Sequence, residues 1–163
     1  MLIGNCAKSE VMRYMIRKAK IEDIKEIQKL INFFAKQDLM LPRSLNELYD
    51  NLRDFWVAQE NKKIIGCAAL HISWDDLAEI KSLAVLKHSQ GRGVGKELIS
   101  ACLNEARELG AKKIFVLTYN PDYFKKFGFK RVKTSDLPHK VWAECINCCK
   151  FPNCQEIALI KKL

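Results

Sequence analysis

Residues Gln90-Gly91-Arg92-Gly93-Val94-Gly95 have the composition of an anion cradle. Closely spaced glycines let backbone N–H groups converge where a side chain would block a ligand, and a helix start adds unpaired donors and a positive dipole end. The segment lies between the apolar run Ile80 to Leu86 and the amphipathic stretch Val94 to Leu109, so it reads as strand, glycine-rich turn and helix. A diphosphate is the natural guest. The spacing is not that of a dinucleotide loop, because the third glycine comes at Gly95, too early for GxGxxG. Nor is it a Walker A loop, because Gly95-Lys96 is followed by Glu97 where Ser or Thr is needed. On these residues alone an ordinary glycine-rich turn stays open.

A second group with chemical potential is Cys145, Cys148, Cys149 and Cys154, spaced C-x2-C-C-x4-C. Cys145 and Cys148 have metal-knuckle spacing, and Cys154 could close a zinc or iron–sulfur site with Cys149 or His139. A complete zinc module has two separated ligand pairs, whereas this segment has one, so packed or surface thiols are the preferred reading. Cys6, Cys67 and Cys102 are scattered through the chain and read as free thiols.

At 163 residues the chain has single-domain size. Its net charge of +9 is spread over the whole length with no block of five or more basic residues, which points to a solvated surface and not to nucleic acid. No apolar stretch reaches the roughly 20 residues that span a bilayer, and residues 1–11 lack the pattern of a secretory signal. A cytoplasmic protein without a membrane partner is expected, with residues 1–11 as an N-terminal extension and 12–163 as the domain.

Alternating elements must position the cradle. A short strand at Tyr14 to Arg17 precedes a helix whose buried stripe is Ile21, Ile24, Ile27, Leu30, Ile31 and Phe34. Ser44 and Glu47 form a capping box that opens a second helix to about Arg53. Strands at Phe55 to Gln59 and Lys63 to Ile72 meet at an Asn61-Lys62 hairpin, and Leu77 to Leu86 is a fourth strand. The cradle and its helix run to Leu109, with Gly110 as the stop, followed by a strand at Lys113 to Thr118. A short helix spans Pro121 to Phe127, and extended segments follow at Phe129 to Val132 and Ile157 to Ile160. Residues 134–155 show no clear periodicity. The order is that of a mixed α/β domain with a crossover helix between the fourth and fifth strands.

Gln90-x-x-Gly93-x-Gly95 at a strand-to-helix junction, with this order of elements over residues 12–163, resembles the GNAT N-acetyltransferases. The resemblance implies an acyl-CoA N-acyltransferase fold, with a central mixed, mostly antiparallel sheet flanked by helices, and acetyl-CoA as co-substrate. Asn120-Pro121 with Tyr123-Phe124-Lys125, and the tail Leu137 to Trp142 through Phe151-Pro152-x-Cys154-x-Glu156, are similar to the short amino-acid N-acetyltransferases that make N-acetylglutamate in arginine biosynthesis. An amino acid, glutamate first, is then the expected acceptor, and a homodimer the expected assembly. Other amines, such as a protein lysine, a protein N-terminus or a polyamine, are the alternative acceptors. A non-catalytic acyl-CoA-binding regulatory module is the alternative from another class.

The resemblance also implies roles. Backbone N–H groups of Gln90, Gly91, Arg92, Gly93, Val94, Gly95 and Lys96 would hold the pyrophosphate, with the Arg92 and Lys96 side chains meeting phosphates. Leu83, Ala84 and Val85 would lie along the thioester, and an N–H near Val85 would polarise its carbonyl. Asn120 and Phe124 would contact the pantetheine. An amine attacking a thioester needs a base for its ammonium and an acid for the leaving thiolate. Glu79, which strand alternation puts on one face with Lys81, Leu83 and Val85, is the candidate base, against an ion-pair role or a water-mediated path. Tyr123 is the candidate acid, against a purely packing role. Arg43, Lys81 and Lys140 are the candidate cations for acceptor carboxylates, each against a role as a solvated surface charge.

Overall fold

The computed structural model describes residues 14–150 and 152–163. The extension expected over residues 1–11, with Cys6, lies outside that set, as does Phe151.

Strand β1 (Met15–Lys18) leads through a 3-10 turn at Ile21–Asp23 into helix α1 (Ile24–Ala35), which buries Ile24, Ile27, Leu30, Ile31 and Phe34 as one stripe. Helix α2 (Leu45–Asp50) opens on the expected capping box. Glu47 N–H donates to Ser44 Oγ at 3.2 Å, and Ser44 N–H donates back to a Glu47 carboxylate oxygen at 2.9 Å. A 3-10 turn at Leu52–Asp54 then replaces the helix end expected at Arg53. Strands β2 (Phe55–Glu60) and β3 (Lys63–Ile72) pair across Asn61-Lys62, both left-handed, as a tight hairpin turn requires.

Strand β4 (Leu77–Val85) is followed by the glycine turn and helix α3 (Val94–Glu108), which ends before left-handed Gly110. Strand β5 (Lys113–Thr118), helix α4 (Pro121–Lys125), strand β6 (Lys130–Arg131), helix α5 (His139–Ile146) and strand β7 (Ile157–Lys162) complete the chain. The seven strands form one sheet in the order β1-β2-β3-β4-β5-β7-β6, antiparallel throughout except for β4 beside β5. Helix α5 falls in the segment that shows no periodicity. It is one short helix with Val141 buried beside Leu137, too little apolar surface to show a repeat.

Helices α3 and α4 cover one face of the sheet, where Leu98, Ile99, Cys102 and Phe124 pack on Ala68, Ile80 and Ile114. On the other face α1 packs on Val57, Cys67 and Ala69, and α5 meets Phe115 and Ala158. Two irregularities of β4 position everything that follows. Cys67 pairs with Ala84 and Ala69 with Lys81, so Ser82 and Leu83 together oppose Ala68 in a β-bulge, with Ser82 left-handed at φ 52°. In addition, β4 pairs with β5 only over Leu77, Ala78 and Glu79, after which the two parallel strands part. The bulge corrects the alternation expected from the sequence. Glu79 and Lys81 keep to the α1 face, opposite His71 and Ala69, whereas Leu83 and Val85 turn to pack toward α3.

Among the described residues no helix is long and apolar enough to cross a membrane. Gly66 on β3 marks how closely α3 approaches the sheet. A Cβ there would lie 3.1 Å from side-chain carbons of Leu98 and Val94 and 3.2 Å from the Ala84 carbonyl oxygen. Because that oxygen belongs to the β3–β4 pair, the Leu98 and Val94 side chains, or the helix that carries them, have to give by a few tenths of an ångström. Gly66→Ala is expected to lower the unfolding free energy by about 1–3 kcal/mol, seen as an earlier urea midpoint. An unmoved midpoint would mean that the helix has slack.

Candidate active site

A cleft of about 1490 Å³ follows the parting of β4 and β5 and is walled by both faces of the sheet. At its α3 end Gly91 and Gly93 are left-handed, at φ 76° and 86°, the conformation that their lack of a Cβ permits. Gly93 is the N-cap of α3, and the first bond of the helix runs from Glu97 N–H to Gly93 O. The N–H groups of Val94, Gly95 and Lys96 therefore stand outside the helical ladder at its positive end, a geometry suited to a phosphate.

The side chains of the cradle do different work from its backbone. Gln90 Nε2 donates to Val85 O at 3.0 Å, closing the end of β4. Arg92 is turned away to Glu60, which accepts from it at 2.6 and 3.2 Å, and it is absent from the cleft wall, unlike the neighbouring Lys96. In this structure the Arg92 side chain, expected to meet a phosphate, forms an ion pair with Glu60 that ties the turn to β2.

Leu83, Ala84 and Val85 line the middle of the cleft. The Leu86 N–H is spent on Ile65 O on the β3 side, so alternation of the extended backbone directs the Val85 N–H toward the gap beside β5. Across the gap Asn120 caps α4, its Oδ1 accepting from Tyr123 N–H at 3.4 Å. Phe124 is buried and stands edge to face against Tyr123 and Phe129. The Tyr123 hydroxyl reaches the first turn of α3 so closely that a Cβ on Gly95 would overlap it and the tyrosine would have to shift. Burial pushes the Tyr123 phenol above its ordinary range, so at neutral pH it is a proton donor.

On the other face lies a wall of paired charges. Glu79 is 7% exposed and its carboxylate lies 3.3 Å from Lys81 Nζ. Arg43 reaches Glu47 at 3.1 Å, and its backbone is clasped by Asn32, whose side chain accepts from Arg43 N–H at 3.0 Å and donates to Arg43 O at 3.3 Å. Lys140 lies in α5, with its side chain outside the described set.

Three groups on this wall escape the sequence reading. His71 stands directly opposite Glu79 on β3, its Nδ1 2.7 Å from Asp54 Oδ2. Glu156, just before β7, is raised above the usual carboxylate range by burial, against the lowering effects of the Cys154 thiol and the Arg43 charge. Tyr119 beside it is raised by burial and then by Glu156. For His71 the usable signal is its even spacing from the strand end. Glu156 is visible only as part of the quoted tail.

Cys145, Cys148, Cys149 and Cys154 also line the cleft. Among the described residues no group of three or more His, Cys, Asp or Glu is arranged to hold a metal ion, so the zinc or iron–sulfur alternative at Cys145, Cys148 and Cys154 finds no ligand set there.

Residues 21–129 match the acetyltransferase (GNAT) family. An uncharacterised N-acetyltransferase of Chlorobaculum tepidum is 36% identical over 148 residues, covering 91% of this chain and 96% of that protein. An amino-acid acetyltransferase of Mycobacterium tuberculosis is 33% identical over 135 residues, 81% of this chain and 77% of the relative. Among solved structures, Rv2747 from Mycobacterium tuberculosis in complex with CoA superposes with a TM-score of 0.80 at 28% identity, over 91% of this chain and 99% of that one. N-acetylglutamate synthase from Neisseria gonorrhoeae, complexed with coenzyme A and N-acetyl-glutamate, gives 0.82 at 27% identity. There the match covers 92% of this chain and 35% of the longer protein.

The cysteines divide by environment. Burial pushes the Cys67 and Cys102 thiols up to about 12, so neither forms a thiolate at working pH. Cys149 and Cys154 are exposed. Iodoacetamide at pH 8 is expected to alkylate Cys149 and Cys154 in the native protein and to reach Cys67 and Cys102 only after denaturation, as peptide mass spectrometry would report. Early modification of Cys67 would contradict a closed core.

Proposed function

The chain belongs to the acetyltransferase (GNAT) family and is an N-acetyltransferase; from that premise we propose that it acetylates the α-amino group of an amino acid from acetyl-CoA, with L-glutamate as preferred acceptor and arginine biosynthesis as its setting. The single observation that carries the acceptor reading is the pair of cations, Arg43 and Lys81, brought to one wall of the cleft from two different elements. Two cations held by separate elements suit a substrate with two carboxylates. Relatives named amino-acid acetyltransferase, and a structural relative solved with N-acetyl-glutamate, support the same acceptor class.

In this reading the cradle at Gly91 to Lys96 takes the pyrophosphate on backbone N–H groups, with the Lys96 side chain beside it. The pantetheine runs through the gap between β4 and β5, past Asn120 and Phe124. The thioester carbonyl accepts from the Val85 N–H, which would then stabilise the tetrahedral oxyanion. The acceptor approaches from the Glu79 face. Its nitrogen attacks the carbonyl carbon, the C–N bond forms, and Glu79 takes a proton from that nitrogen. As the intermediate collapses the C–S bond breaks and Tyr123 protonates the departing thiolate. A phenol kept protonated by burial suits that role.

A panel of amino acids incubated with acetyl-CoA, with free thiol as the readout, is expected to give the highest kcat/KM with glutamate. Absence of turnover with every amino acid, alongside tight CoA binding, would favour a regulatory module, and turnover only with polyamines or peptides would move the acceptor. Tyr123→Phe is expected to lower kcat by about 10²–10⁴-fold, the range of a lost general acid, while CoA affinity by calorimetry changes little. An unchanged kcat would remove Tyr123 as the acid.

A further inference from the structure

Acetyl transfer to an ammonium sheds two protons from nitrogen, one before attack and one as the C–N bond forms. The acid at the thiolate handles neither of them, and Glu79 accounts for one. The cleft wall holds a second proton acceptor. His71 and Glu79 are direct cross-strand partners on β3 and β4, on one face of the sheet, which brings their Cβ atoms to about 4.5–5.5 Å of each other. Both line the cleft, together with Asp54.

Asp54 comes from the turn before β2, and its Oδ2 lies 2.7 Å from His71 Nδ1. An ionised carboxylate only accepts, so the imidazole N–H sits on Nδ1 and the neutral ring keeps Nε2 as an acceptor. This tautomer is the one that suits a general base, and the carboxylate behind it stabilises the imidazolium that forms. The two side chains are 29% and 26% exposed, buried enough to be oriented and open enough to exchange a proton with water. Glu79, by contrast, has Lys81 Nζ at 3.3 Å as an ion-pair partner.

We propose that the Asp54–His71 pair is a second proton-accepting unit of the reaction, with His71 removing the first proton of the acceptor ammonium and Asp54 positioning its ring. This rests on the acetyltransferase reading above and deepens it. The proton leaves the ammonium for His71 Nε2 and gives imidazolium and free amine. The amine attacks the thioester, the C–N bond forms and Glu79 takes the second proton; the C–S bond breaks with Tyr123 protonating the thiolate, the Glu79 proton is passed through water to restore the Tyr123 phenol, and the imidazolium returns its proton to solvent as the one proton the overall reaction releases. The other charged groups that line the cleft with His71 are Glu79 and Lys81 from β4, with Arg43 and Glu47 at the start of α2.

The test is the pH profile of kcat/KM for whichever amine of the panel turns over best, in the native enzyme, His71→Gln and Asp54→Asn. The native profile should reach its plateau by neutral pH. In His71→Gln the rate should fall at least tenfold at pH 7 and go on rising with pH as free amine becomes available, and added imidazole should restore part of the neutral rate. Asp54→Asn should give a smaller loss in kcat, with the KM for acetyl-CoA unchanged in both variants. A His71→Gln profile of native shape, or a loss confined to KM without imidazole rescue, would overturn the assignment and leave His71 as a structural partner of Asp54. Should His71→Gln fail to fold, judged by circular dichroism, Asp54→Asn decides by the same criteria. Failure of glutamate while another amine turns over would sink the acceptor assignment alone, since the profiles are run on the amine that works.

Discussion

The site depends on the parting of two parallel strands after a ladder of three residues. Strands β4 and β5 pair from Leu77 to Glu79 and then diverge, so the edges of residues 80–85 and 116–118 face each other without a ladder between them. Backbone polar groups away from water demand partners, and an open edge inside a sheet is an invitation to an extended guest carrying amides of its own. The protein supplies one partner, Gln90 Nε2 to Val85 O, at the mouth of the gap. The flanking strands hold the gap open, because β3 backs β4 and β7 backs β5 along the diverging stretch.

The bulge at Ser82 decides what each side of that gap sees. A strand without it would keep Glu79, Lys81, Leu83 and Val85 on one face, mixing the charges with the apolar groups that line the donor channel. One additional residue reverses the parity. Leu83 and Val85 join the α3 side with Phe124 and Tyr123, and the charged pair stays with His71 and Arg43. A left-handed non-glycine residue costs of order 1–3 kcal/mol. The buried Cys67 thiol, donating to Ser82 O at 3.5 Å, helps hold the turn in place.

What could be read from the sequence is what is encoded locally. The left-handed residues of the cradle are glycines, the second helix carries its own capping box, and the stripe of α1 repeats often enough to be seen. The bulge cannot be read, because Lys81-Ser82-Leu83 continues an ordinary strand pattern and only the register against Cys67 and Ala69 reveals it. Helix α5 has one buried apolar residue among its described side chains, so no period emerges. Arg92 looks like a phosphate ligand in isolation, yet its partner Glu60 lies 32 residues away. The Asp54–His71 pair likewise joins residues 17 apart, through a hairpin that the sequence predicts but whose pairing offset it does not specify.

The charge pattern of the wall narrows the kind of acceptor that it can hold. Arg43 faces Glu47 and Lys81 faces Glu79, so these cations and carboxylates are compensated before any substrate arrives, while Asp54 is held by the His71 ring. A bare cluster of cations would bind any anion and would pay a large desolvation penalty in a partly buried cleft. A compensated wall instead favours a guest carrying both signs, whose carboxylates take over from the protein's on the cations while its ammonium goes to the carboxylates thereby released. The acceptor proposed above, an amino acid with an acidic side chain, carries both signs and so matches the character of this wall.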